Sequence, residues 1–107
     1  MKPSFPAPCS IITIENNKVI QIERWCKIGE ESVRFLILYQ DKQGYVCSSG
    51  RDKHQITRMS KELKTAVSAL AEFLQNCFIE AFKLDDPDQE KIDEIFTFPK
   101  YQIIYKE

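Results

Sequence analysis

Apolar and polar positions alternate through the first half of the chain and change period after residue 60. Residues 10–14, SIITI, read as a strand, and Asn16-Asn17 as a turn that tolerates positive φ. In KVIQIERWCKI, residues 18–28, Ile20, Ile22, Cys26 and Ile28 share one face, with Arg24 interrupting it. Val19, Gln21, Glu23, Trp25 and Lys27 share the other. GEES turns the chain into VRFLILYQ at 33–40, apolar on both faces through its middle as a central strand would be. DKQG turns it again into YVCSS at 45–49, a fourth strand that the pattern lets run past Gly50 to Ile56 or Thr57. Short turns joining consecutive strands predict an antiparallel meander.

From Lys61 to Lys83 the apolar residues fall at 63, 66, 67, 70, 73, 74, 77, 78, 81 and 82, the spacing of a helical face. Ser60 suits the N-cap. An unbroken helix over that span would be about 35 Å long at about 1.5 Å per residue. Asp86, Pro87 and Gln89 read as the cap, first position and box residue of a second, short helix, with Ile92, Ile95 and Phe96 facing inward. Pro99 ends it, and YQIIYK at 101–106 reads as a last strand. The expected fold class is α+β: a four-stranded antiparallel meander, a long amphipathic helix, a short helix and a C-terminal strand. The apolar sector of the long helix is wider than one sheet covers. A second surface must cover it, either the short helix or a partner subunit, and the expectation is a homodimer with Leu70, Phe73, Cys77 and Phe78 at the interface.

Length and composition add bounds. At 107 residues the chain predicts one domain, with residues 1–9 as an extended lead-in carrying Pro3, Pro6 and Pro8. The longest apolar run, Phe35 to Tyr39, is far short of the roughly 20 residues of a membrane span, and MKPSFPAPCSIITI has no long apolar segment of a secretion signal. The expected location is cytoplasmic. Cys9, Cys26, Cys47 and Cys77 form no C-x-x-C pair, so reduced thiols are expected, with neither a zinc site nor any other cofactor.

The net charge of −1 hides an asymmetry. Residues 1–64 hold 11 Lys and Arg against 7 Asp and Glu, and residues 65–107 hold 4 against 9. Such an imbalance suits either a basic binding face or attraction between the halves. Enzyme chemistry is poorly served: His54 is the sole histidine, without an evident partner, and no nucleophile elbow, phosphate loop or zinc-protease motif occurs. The acids Asp85, Asp86, Asp88 and Glu90 lack EF-hand spacing and fit helix capping better.

The stretch CSSGRDKHQITRMSKEL, residues 47–63, is the best candidate for binding. Arg51, Lys53 and Arg58 supply cations that could hold phosphate, and a following helix start would offer free N–H groups. On neighbouring strands, Lys27 and Arg34 could hold phosphates while Trp25 and Tyr45 stack on bases. A meander passing into a helix through Q-I-T-x-x-S-x-E-L-K-x-A resembles the strand-to-helix passage of the positive cofactor four family and the Pur repeat. The likeness spans about residues 18–82 and implies a ββββα unit that dimerises and binds single-stranded nucleic acid on its sheet. The element order is also similar to phage sponge proteins that sequester signalling nucleotides. The expectation is therefore a non-enzymatic binding domain for nucleic acid or a nucleotide. The alternative is a protein-interaction or inhibitor module acting through the helix face and the C-terminal strand.

Overall fold

A computed structural model describes residues 7–49, 56–68, 70–96 and 100–106. Strand β1 (Cys9–Glu15) pairs antiparallel with β2 (Lys18–Ile28) across Asn16-Asn17, whose φ values of 51° and 60° are those of a tight hairpin turn. Strands β3 (Glu31–Asp41), β4 (Gly44–Ser49) and β5 (Ile56–Ser60) continue the meander, each antiparallel to the strand before it. The fourth strand therefore does not run on to Ile56 or Thr57. Those residues belong to a fifth strand that doubles back, with Ile56 opposite Ser49.

After β5 come helices α1 (Leu63–Ala66), α2 (Glu72–Lys83) and α3 (Gln89–Ile95), then β6 (Tyr101–Lys106). Strand β6 lies parallel to β1, closing a six-stranded mixed sheet in the order β5-β4-β3-β2-β1-β6. The fold is α+β, and its sheet is wider than the four-stranded meander expected from the sequence.

The long helix is broken. Thr65, Val67 and Ser68 are weak helix formers, and the chain tightens there, with Ser68 N–H bonding Thr65 O at 3.2 Å and Leu70 N–H bonding Val67 O at 2.9 Å. Gln75 Nε2 donates to Leu70 O at 2.7 Å, satisfying a carbonyl at the break. On both sides of the break the same face stays buried, Ala66, Val67 and Leu70 joining Leu74, Phe78 and Ala81 in one core.

The helix starts also shift. Ser60 ends β5, and its Oγ accepts from Glu62 N–H at 3.1 Å in a local turn, leaving Glu62 at the N-cap. Asp88, not Asp86, caps α3, with Oδ1 accepting from Lys91 N–H at 2.8 Å. Asp86 instead takes a left-handed φ of 49°.

The main core lies between the sheet and the helices. Ile12, Ile22, Leu36, Leu38 and Cys47 meet Leu74, Phe78, Ile92 and Phe96 there. Near the β1–β2 turn the pairing skips Ile20, so that Ile14 faces Val19 and Val19 joins the core. This bulge overturns the expected face assignment of Val19 and Ile20. A smaller cluster of Ala7, Cys9, Ile11 and Trp25, with Ile104 against it, lies on the opposite face.

Candidate nucleic-acid interface

Strand register decides which of the expected site residues share a surface. Trp25 and Arg34 are cross-strand partners, because the pairing skips Phe35 and leaves it as a bulge between Arg34 and Leu36. Alternation puts Lys27 on the same side of β2, exposed at the strand's end. Trp25 itself is only 7% exposed and packs into the small cluster with Cys9 and Ile11. Its indole Nε1 is buried without a hydrogen-bond partner. Arg34 Nη1 donates to Glu23 Oε1 at 3.3 Å, so its charge is partly neutralised by a buried carboxylate.

Tyr45 lies elsewhere. It follows the register of Cys47 onto the helix-covered face, where its ring meets Phe82 edge-on with centroids 5.7 Å apart. Tyr45 and Trp25 therefore stand on opposite faces of the sheet. Tyr39, which pairs with Gln21 and Val46, is the tyrosine on the face away from the helices, and it is half-buried. Phe35 is exposed beside Arg34. Neither residue was singled out from the sequence, because only the bulge positions sort the faces. Arg51, Lys53 and His54 lie outside the described residues. Arg58 is a backbone position of β5 opposite Cys47.

An open cavity of about 530 Å³ lies where the β3–β4 turn meets the end of β5. Among the described residues it is lined by Lys42, Gln43, Met59, Ser60 and Lys61, none of them acidic. Local turn chemistry builds it. Asp41 Oδ1 accepts from Gln43 N–H at 2.8 Å, and Gly44 follows at φ 131°. A Cβ on Gly44 would sit 2.7 Å from Ser60 O, so glycine is what lets the turn close against β5. Met59 is 52% exposed on the strand facing Val46. The sequence pattern gave no hint of this site, since Lys42 and Lys61 are 19 positions apart and meet only through the β4–β5 hairpin.

The expected interface residues separate too. Leu70 and Phe78 belong to the chain's own core, Phe78 at 0% exposure. Phe73 is 54% exposed on α2. Cys77 is half-buried against α3, where its thiol donates to Ile95 O at 3.4 Å and burial raises its pKa. It lines a shallow groove of about 230 Å³ with Asn76, Glu80, Glu94 and Ile95.

None of the four cysteines is in a disulfide, and no group of three His, Cys, Asp or Glu side chains gathers to hold a metal among the described residues. None of the described helices is long and apolar enough to cross a membrane. No family model, curated protein or solved structure matches the chain.

Proposed function

We propose that this is a small non-enzymatic domain that binds a nucleotide or single-stranded nucleic acid through phosphate contacts, acting in the cytoplasm. The observation that carries the reading is the cavity between Lys42 and Lys61. Its volume falls in the range of about 300–1,000 Å³ usual for small-ligand sites. Two ammonium groups supply the charge, Ser60 and Gln43 supply polar contacts, and Met59 offers an apolar surface for a base. Strand β5 carries Met59 and Ser60 and is the strand into which the basic 51–58 stretch runs. From there the helix-free face offers half-buried Tyr39 and Arg34, with exposed Phe35 and Lys27 toward the far end, as a path for a longer strand. The burial of Trp25 argues for an anchoring role beneath that path in place of base stacking.

The test is fluorescence anisotropy with a labelled oligonucleotide and a nucleotide panel across a salt series. Wild type should bind, and Lys42→Ala with Lys61→Ala should weaken binding without regard to sequence. The salt slope should fall by about 1.4, two phosphate contacts at about 0.7 each for a single strand. Unchanged binding in the double variant overturns the site, and no binding by wild type overturns the function.

A second reading, a protein-interaction module or inhibitor, is favoured by Phe73, exposed on α2, and by Tyr105, 62% exposed on the edge strand β6. A second copy of the chain over Phe73 and Cys77 would be the homodimer form of that surface.

A further inference from the structure

We propose that Ser10 and Arg24 form a buried seat for a phosphate-type oxyanion, separate from the Lys42–Lys61 cavity and at the opposite end of the sheet. The two residues are cross-strand partners on β1 and β2. Their neighbours one step along the same face are Ile12 and Ile22, also partners, which belong to the main core. Alternation therefore turns Ser10 and Arg24 toward the helix-covered side. Ser10 is 0% exposed and Arg24 only 8%. Neither Ser10 Oγ nor Arg24 Nη1 has a hydrogen-bond partner.

An uncompensated guanidinium is among the costliest groups to bury, and arginine does not escape that cost by giving up its proton. No ion pair reaches it among the described residues. Glu23, its neighbour in sequence, turns to the other face and pairs with Arg34. The surrounding chemistry is donor-rich: Arg24 has only donors, and the free Ser10 hydroxyl can donate. Tyr101, beside Ser10 on β6, has its hydroxyl engaged by Gln89 Nε2 at 2.6 Å. Burial lowers the Arg24 pKa, with Cys26 and Cys9 opposing the effect. What the pair lacks is an acceptor carrying negative charge. The two side chains leave neighbouring points on one face, and the proposed oxyanion takes an N–H from Arg24 and the O–H from Ser10 together.

The test uses the full chain, with thermal unfolding and calorimetric titration by inorganic phosphate, sulfate and a nucleoside monophosphate at constant ionic strength, with chloride as the control. Phosphate and sulfate should raise the wild-type melting temperature progressively, as a ligand that binds only the folded state does. In the Lys42→Ala, Lys61→Ala background, Arg24→Met should abolish that rise while melting no lower than its parent in anion-free buffer, since a buried unpaired charge is replaced by an apolar chain of similar length. Ser10→Ala should weaken anion affinity about tenfold. The Lys42→Ala, Lys61→Ala double variant should keep the response, which separates this seat from the nucleotide cavity. Equal, competing effects of phosphate and nucleotide support free phosphate as the occupant. A response to nucleotide alone, lost in Arg24→Met, supports the phosphate of a larger ligand. No oxyanion response in wild type, or the same response in Arg24→Met in the Lys42→Ala, Lys61→Ala background, overturns the proposal. If Arg24→Met does not fold, Ser10→Ala decides, and an unchanged affinity there overturns it.

Discussion

Truncating Phe78 to alanine tests whether the inner face of α2 serves the protomer or an interface. Phe78 has no exposed surface, and its ring lies 6.0 Å from that of Phe96, tilted by 47°. Removing a fully buried phenylalanine costs about 3–5 kcal/mol, because the transfer energy is lost and a cavity remains. The aromatic pair with Phe96 adds about 0.5–1.5 kcal/mol to what burial alone provides, placing the expected cost in the upper half of that range. Against a domain stability of about 5–15 kcal/mol this is a large fraction. Urea unfolding followed by circular dichroism should therefore show the midpoint falling by about 3 M, at a slope of about 1.5 kcal/mol per molar. The loss should be the same at low and high protein concentration, since the contacts are internal. Phe73→Ala is the partner experiment. With 54% of Phe73 exposed, its truncation should be nearly neutral wherever the protein is monomeric, and should matter only where a second copy covers it. A Phe78→Ala loss below about 1 kcal/mol, or one that tracks protein concentration, refutes the core assignment.

Gly44→Ala should destabilise strongly, by about 2 kcal/mol or more, because its Cβ would meet the Ser60 carbonyl in a region of φ that disfavours side chains. Gly29→Ala, where a Cβ would meet nothing within 4 Å, should lose only the conformational part, about 1 kcal/mol, by the same denaturant assay. Asp88→Ala removes the α3 cap and should cost about 1 kcal/mol, read as faster amide exchange at Lys91. Asp85, held below its usual pKa by its hydrogen bond and charge pairing with Lys18, favours the fold while ionised; that contribution is present above the unfolded pKa and lost as pH falls through the folded one. Asp85→Asn should flatten the acid limb of a stability–pH curve, and an unchanged limb would refute the pairing. The thiols of Cys9 and Cys77, raised above 9.0 chiefly by burial, favour the fold while protonated; stability should decline as pH rises past the unfolded thiol pKa, and Cys9→Ala with Cys77→Ala should reduce the slope of that decline.

What the sequence determined by itself was local. The bounds of β2 and β6, at 18–28 and 101–106, follow from alternation closed by turn residues, and Asn16-Asn17 announced its own positive φ. These features depend on neighbours within a few residues, so a single chain displays them. The tertiary structure decided what depends on distant partners. That Ile56–Ser60 forms a fifth strand reflects pairing with β4, and the placement of β6 beside β1 is a contact across some 90 residues. The helical period from 63 to 82 was continuous on paper, yet the chain forms two helices, Leu63–Ala66 and Glu72–Lys83, with weak helix formers at Val67 and Ser68 between them. Bulges at Ile20 and Phe35 shift side-chain parity by one residue, which no count of alternation detects. They put Val19 into the core and set Arg34 beside Trp25. Arg24, which looked like a polar interruption of an apolar face, became a buried cation only when β1 and the helices closed over that face. Lys42 and Lys61 became neighbours because a hairpin brought them together, so the candidate site, unlike the strands that carry it, belongs to the three-dimensional fold.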